Sequence, residues 1–230
     1  MILGNPPYSY ASPNRSAWIT DQINAYKQVD GQPLGEKNPR GLQDDYVKFL
    51  RFAQWKVEQA GRGVVGMITN HGYLDNPTFR GMRQSLLRTF DEIYVLDLHG
   101  NVLKRERAPG GGVDENVFDI RQGVAVALMV KKKEKKKNPC HIFHADLWGL
   151  REEKYDWLSG NDIKTTDWKE LTPASPFYLF IPRDEVLRER YEAFPRITDI
   201  FPVNSVGIVT ARDHLTIHES PEAVWNTVLN

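Results

Sequence analysis

Residues 5–8 read Asn-Pro-Pro-Tyr and come almost directly after the apolar pair Ile2-Leu3. Two prolines hold two φ angles at about −65° and remove two backbone donors. Asn5 precedes a proline and is driven to an extended conformation. Residues 2–4 therefore read as the end of a strand that Pro6 and Pro7 cannot continue. Ligands of open α/β sheets bind at the carboxyl ends of strands. The stiff tetrapeptide offers two acceptors there, the Asn5 side-chain oxygen and the Pro6 carbonyl, with the flat face of Tyr8 just beyond. Two fixed acceptors and a π-face suit a planar group carrying an NH₂. Each acceptor takes one N–H, which draws the nitrogen lone pair out of conjugation and makes it a better nucleophile. As a methyl group arrives, positive charge builds on nitrogen, and the same acceptors stabilise it. No strong base is needed before attack, so a neutral Asn suffices. Stacking on Tyr8 would contribute roughly 1–3 kcal/mol per base, and a base in a duplex must first be flipped out. The same four residues also suit a tight turn after a strand. The apolar lead-in and the α/β pattern that follows favour the chemical reading.

Other stretches invite chemistry and carry less. Gly-Arg-Gly-Val-Val-Gly at 61–66 satisfies G-x-G-x-x-G, but it follows a helix and precedes a strand, the reverse of a nucleotide loop. Gly61 reads as a helix stop. Cys140, His141 and His144 fall in a predicted strand, where alternation separates neighbouring side chains. No second Cys/His pair lies at zinc spacing, so no metal site is expected. The lysine run at 131–137 reads as a solvated linker, with contact to DNA phosphates as the alternative. Arg80, Arg83 and Arg88 read as surface charges that cover apolar neighbours. His71 falls at a carboxyl edge, with an expected role in ordering loop backbone. Asp75 and Asn76 read as a helix start. The polar segment 99–116, containing Gly110-Gly111-Gly112, reads as a loop beside a substrate or as disorder without a role.

The elements that position these residues follow from periodicity. A helix is predicted over 15–29, with Trp18, Ile19, Ile23 and Tyr26 on one face. A second covers 43–60, where Tyr46, Phe49, Leu50, Ala53 and Val57 recur at spacings of three and four. A third starts at Asn76-Pro77, cap then first-turn proline, and ends near Phe90. Residues 63–69, 92–98 and 123–130 are apolar runs of strand length. Strands alternating with helices predict a parallel, doubly wound α/β sheet. The chain has 230 residues, 40% of them apolar, with 30 basic and 30 acidic side chains. Net charge thus points to no partner, and any nucleic-acid surface must be a local patch. The single cysteine, Cys140, excludes an internal disulfide framework and fits a reducing cytoplasm. No apolar run is long enough for a membrane span, and no signal peptide is evident.

The tetrapeptide resembles motif IV of the amino-methyltransferases that use S-adenosyl-L-methionine, in the N6-adenine DNA group. Segments 33–55, 63–101, 114–132 and 144–158 are similar to the modification module of large single-chain restriction–modification enzymes, the type ISP group and type IIG-like relatives. Ser-Val-Gly-Ile-Val-Thr-Ala-Arg-Asp at 205–213 resembles the segment that introduces their target-recognition region. The resemblance implies Asn5, Pro6, Pro7 and Tyr8 as catalytic residues, and Tyr8 and Phe118 as faces stacking on a flipped adenine. It implies DNA as partner and a Rossmann-like sheet over 1–132, followed by a smaller mixed α+β region over 133–230 containing a connector and the start of target recognition. The family's Gly-rich cofactor loop lies upstream of motif IV and has no counterpart here, so no cofactor-binding residue is assigned. The expectation is a C-terminal part of a methyltransferase domain, inactive or nearly so without the missing N-terminal part. Two alternatives stand: a methyltransferase acting on protein glutamine or RNA guanine, and a non-catalytic DNA-binding remnant.

Overall fold

The structure, a computed structural model, describes residues 1–9, 12–36, 39–133, 139–203, 213 and 217–229. It divides into two compact units, Met1–Arg183 and Asp184–Asn230. The first is built on a six-stranded sheet. Its strands are β1 (Ile2–Gly4), β4 (Gly63–Asn70), β5 (Glu92–His99), β6 (Val124–Lys131), β7 (His141–Asp146) and β8 (Lys169–Leu171), in spatial order β1-β4-β6-β5-β7-β8. A two-stranded ribbon, β2 (Gln28–Val29) with β3 (Gln32–Pro33), lies apart.

The sheet is mixed, which corrects the all-parallel expectation. β1 runs parallel to β4, and β5 parallel to β7, but β6 lies antiparallel between β4 and β5. The reason is local. A parallel return needs a crossover of a dozen or more residues, usually a helix. Among the described residues, no helix lies between β5 and β6. The carboxyl ends of β1, β4, β5 and β7 therefore share one sheet edge. The expected boundary after residue 132 falls between β6 and β7, both strands of this sheet.

Helix α1 (Ala17–Asn24) is shorter than predicted, because Ala25–Lys27 forms a 3₁₀ turn that leads into β2. Helix α2 (Asp45–Ala60) ends at Gly61, whose φ of 68° is the left-handed stop expected of glycine. Tyr46, Leu50, Ala53 and Val57 are buried, but Phe49 is 48% exposed and Trp18 on α1 is 42% exposed. Trp18 instead packs edge to face with Phe52 and Trp55. Asn76 accepts from the Thr78 N–H at 2.9 Å, and Pro77 opens a 3₁₀ turn that runs into α3 (Arg80–Thr89). Alternation splits the strand residues between two faces. Ile93, Val95, Ala125, Ala127 and Ile142 join the larger core with α1–α3. Leu96, Leu98, Val124 and Ala145 face a smaller cluster, to which α4 (Arg151–Gly160) contributes Trp157 and Leu158.

Arg83 is not the surface charge expected. It is fully buried. Its guanidinium donates to Tyr73 O at 2.6 Å, Asn76 O at 2.9 Å, Phe177 O at 2.6 Å and Tyr178 O at 3.0 Å. Burial pushes its pKa down to about 10, so it stays charged at neutral pH. The fork ties α3 both to the segment after β4 and to the chain near residue 178, where Phe180 enters the core. Arg80 pairs with Glu36 at 2.6 Å, and Arg88 is exposed.

The second unit contains α5 (Glu185–Glu192), α6 (Ile197–Ile200) and a helix over Pro221–Leu229. The Asp184 carboxylate caps α5 by accepting from Val186 N and Leu187 N. The predicted target-recognition segment at 205–213 lies outside the described residues except for Asp213, and 134–137 of the lysine run lie outside them as well. No helix among the described residues is long and apolar enough to cross a membrane.

Replacing Arg83 by Met would remove this donor from four carbonyls, of which Asn76 O keeps the Phe79 N–H at 3.1 Å. The expected loss is about 3 kcal/mol or more, since each buried orphan costs roughly 1–3 kcal/mol. Urea unfolding would measure it. Arg83→Lys should also destabilise, because an ammonium lacks the fork.

Candidate active site

β1 delivers Asn5 to the shared carboxyl edge. Pro6 is buried, while Asn5 and Pro7 are exposed. The Asn5 side chain makes no hydrogen bond among the described residues, which leaves its oxygen available. Tyr8 is half-buried, with its ring edge-on to Tyr46 of α2 at 6.0 Å. Its hydroxyl is buried with no hydrogen-bond partner among the described residues. Burial and, next, the charge of Asp44 raise its pKa far above the ordinary phenol value.

The chain leaving the tetrapeptide is pinned to α2. Asp44, at the amino end of that helix, accepts the Ser9 N–H at 2.8 Å instead of capping the helix with its side chain. Burial raises its pKa. One turn on, Lys48 reaches out of α2 and donates to Ser12 Oγ at 3.0 Å and to Asn14 O. Buried polar groups of α2 thus hold the stiff tetrapeptide on both its ring and its outgoing backbone.

Phe118, the other expected stacking face, is half-buried and packs on the smaller cluster that Tyr8 also touches. No ring contact joins Phe118 to Tyr8 among the described residues. The segment leading to Phe118 is tightly ordered. Asp114 pairs with the buried Lys154 of α4 at 2.7 Å and accepts Gly100 N at 2.7 Å. Asn116 donates to Gly100 O and Gln122 O and accepts Phe118 N. Segment 99–116 is therefore held by specific bonds at both ends.

The same edge carries a polar group that was not foreseen as a unit. His71 Nδ1 lies 3.0 Å from Asp97 Oδ1, and His99 Nε2 lies 2.8 Å from Asp146 Oδ1. Asn101, Glu106 and the buried His144 stand beside them. Residues of this group line a cleft of about 320 Å³. A readable signal existed: Asp97-x-His99 in one strand and His144-x-Asp146 in the next share a face, because residues two apart do. In-register pairing of Asp97 with Asp146 then aligns the two pairs. Gly123 makes room, since a Cβ there would lie 2.3 Å from the His71 ring.

Burial disfavours the Asp97 carboxylate, but the hydrogen bond and charge of His71 outweigh it and hold its pKa below the ordinary value. Burial likewise opposes protonation of His71, but its bond to Asp97 and the charges of Asp97 and Glu106 raise its pKa. Burial lowers that of His144.

No protein-family model and no curated protein matches the chain. Solved structures do. LlaBIII, an ATP-dependent Type ISP restriction–modification enzyme bound to DNA, matches over 82% of this chain at 26% identity with a TM-score of 0.64. DrdV in complex with DNA matches over 99% at 24% identity with a TM-score of 0.71. A nuclease-deletion mutant of the Type ISP restriction–modification enzyme LlaGI, in complex with a DNA substrate mimic, matches over 99% at 24% identity with a TM-score of 0.74. The chain spans only 13–24% of those proteins' lengths. It thus shares its α/β fold with segments of restriction–modification enzymes. The two matches at 24% identity carry the fold alone.

The depressed Asp97 pKa has a testable sign. Its stabilisation is complete above the unfolded-state value of about 4 and is lost as pH falls through the lower folded-state value. Urea unfolding at a series of pH values should show that acid-side loss in the natural chain. Asp97→Asn should lower stability at neutral pH and flatten the acid limb.

Proposed function

We propose that this chain is the catalytic-side part of a DNA adenine N6-methyltransferase, the modification part of a restriction–modification enzyme, with S-adenosyl-L-methionine as methyl donor. The observation that carries the reading is the rigid Asn5-Pro6-Pro7-Tyr8 element at the carboxyl edge, anchored to α2 by Tyr46 and Asp44 while Asn5 stays exposed. Likeness to DNA-bound restriction–modification enzymes supports adenine in DNA over protein glutamine or RNA guanine.

The described residues fit the amine half of such a site, and none is assigned to the cofactor half. The donor, when bound, supplies an electrophilic methyl carbon. The work of this chain is to hold the amine. Asn5 Oδ1 and the Pro6 carbonyl each take one N–H of the adenine amino group, which localises the lone pair for attack. The same oxygens stabilise the cationic nitrogen, which then gives up its extra proton to water. Burial of Pro6 keeps the acceptors in place, so little reorganisation is needed at the moment of reaction. Tyr8 stacks on the base, and its contact with Tyr46 fixes the ring. Phe118 covers the opposite face.

The test is DNA methylation by the full-length gene product that carries this chain, with a labelled methyl donor. Asn5→Ala should lower turnover about 100- to 1000-fold, the usual effect of deleting one preorganised hydrogen-bond partner, while DNA binding persists. Near-normal turnover would refute the mechanism. Tyr8→Ala should weaken capture of the base more than binding of the donor, which fluorescence of 2-aminopurine at the target position reports. Methylation of RNA or of a glutamine peptide in place of DNA would transfer the chemistry to another substrate class.

A further inference from the structure

The polar cleft beside the sheet edge is built for a cation. We propose that His71 Nε2, His99 Nδ1 and the Glu106 carboxylate bind one divalent transition-metal ion, of the class that two imidazoles and a carboxylate favour.

The three ligand atoms lie within 4.8 Å of one another. Glu106 oxygens stand 4.0 Å from His71 Nε2 and 3.9 Å from His99 Nδ1. A tetrahedral ion bonded at about 2.1 Å holds its ligands about 3.4 Å apart. Each Glu106 distance exceeds that spacing by roughly 0.5 Å, and Glu106 sits on a loop with its side chain 16% exposed and its Oε2 accepting Asn101 N at 2.9 Å.

The back of each imidazole is already committed. His71 Nδ1 meets Asp97, and His99 Nε2 meets Asp146. Such carboxylate partners fix the tautomer of a metal-binding histidine and raise its basicity. In the neutral rings, with the N–H toward those carboxylates, His71 Nε2 and His99 Nδ1 carry the lone pairs. Asn101 supports this for His71. Its Oδ1 accepts from Lys104 N, so its NH₂ faces His71 Nε2 at 2.9 Å and donates. An ion would displace that single bond.

An independent observation points to a ligand. His99 is only 7% exposed, yet its Nδ1 has no hydrogen-bond partner among the described residues, and it faces Asp97 at 3.7 Å and Glu106 at 3.9 Å. Both ring nitrogens of the buried His144 on the same cleft likewise lack a hydrogen-bond partner among the described residues, with Asp146 3.7 Å from Nδ1. Buried acceptors are seldom left orphaned. Asp97, His144 and Asp146 form a second close set. Its two carboxylates already hold the rings of His71 and His99, which makes them supports of the first set. The groups facing the cleft, Asp75, Asp97, Glu106 and Asp146 against Lys104, leave an excess of negative charge.

The full chain, stripped with a chelator, should be titrated with Zn²⁺ by calorimetry and with Co²⁺ by visible absorption. One ion per chain is expected, with Co²⁺ bands of a nitrogen and oxygen ligand set and a melting temperature that rises with Zn²⁺. His99→Ala and Glu106→Gln should abolish this binding. Asp146→Asn, which changes the partner at the back of His99, should weaken it roughly 10- to 100-fold. Cys140→Ser should leave it unchanged. Glu106→Gln is nearly isosteric, and circular dichroism will confirm that it folds. No Zn²⁺ binding at micromolar concentration, or binding indifferent to both His99→Ala and Glu106→Gln, would overturn the site.

Discussion

Arg83 sits fully buried, and four main-chain carbonyls accept hydrogen bonds from its guanidinium. A buried charge is tolerable only when its donors are met. That requirement brings the segment after β4 and the chain near residue 178 to one point on α3. Tyr73 then packs edge-on against Phe180, and Phe180 N bonds to Leu74 O. A charge on one helix thereby closes the core and sets where β4 gives way to His71.

Above that core, a single sheet face changes character along its strands. Ile93 and Val95 precede Asp97 on β5, and Ile142 precedes His144 and Asp146 on β7. The apolar part is covered by α2 and α3, while the polar part meets the cleft at the carboxyl edge. The same edge receives Asn5 from β1. Rigid strands are better platforms for a site than loops, because packing locks their side chains. Here one edge presents both the Asn5-Pro6-Pro7-Tyr8 tetrapeptide and the histidine–carboxylate group.

The limits of pattern reading appear at particular residues. Apolar runs located β4, β5 and β6, and Gly61 and Asn76-Pro77 marked helix ends, because each depends on local φ or a local cap. Phe49 and Trp18 matched the helical period yet lie partly exposed, since periodicity names a face without telling how wide a neighbour covers it. Arg83 looked like a surface charge because its partners lie about ten and about ninety-five residues away. The segment 99–116 looked loose because its order comes from Asp114, Asn116 and Lys154, which meet only in the folded state.

Proline geometry, glycine stops and apolar runs follow from short-range sterics, and they placed a stiff acceptor-bearing element after a strand without help from distant residues. The antiparallel insertion of β6, the burial of Arg83 and the meeting of His71, His99 and Glu106 depend on packing between remote segments. Side-chain period two says that Asp97 and His99 share a face. It cannot say that β7 lies beside them in register, and that pairing is what turns two separate motifs into one polar site.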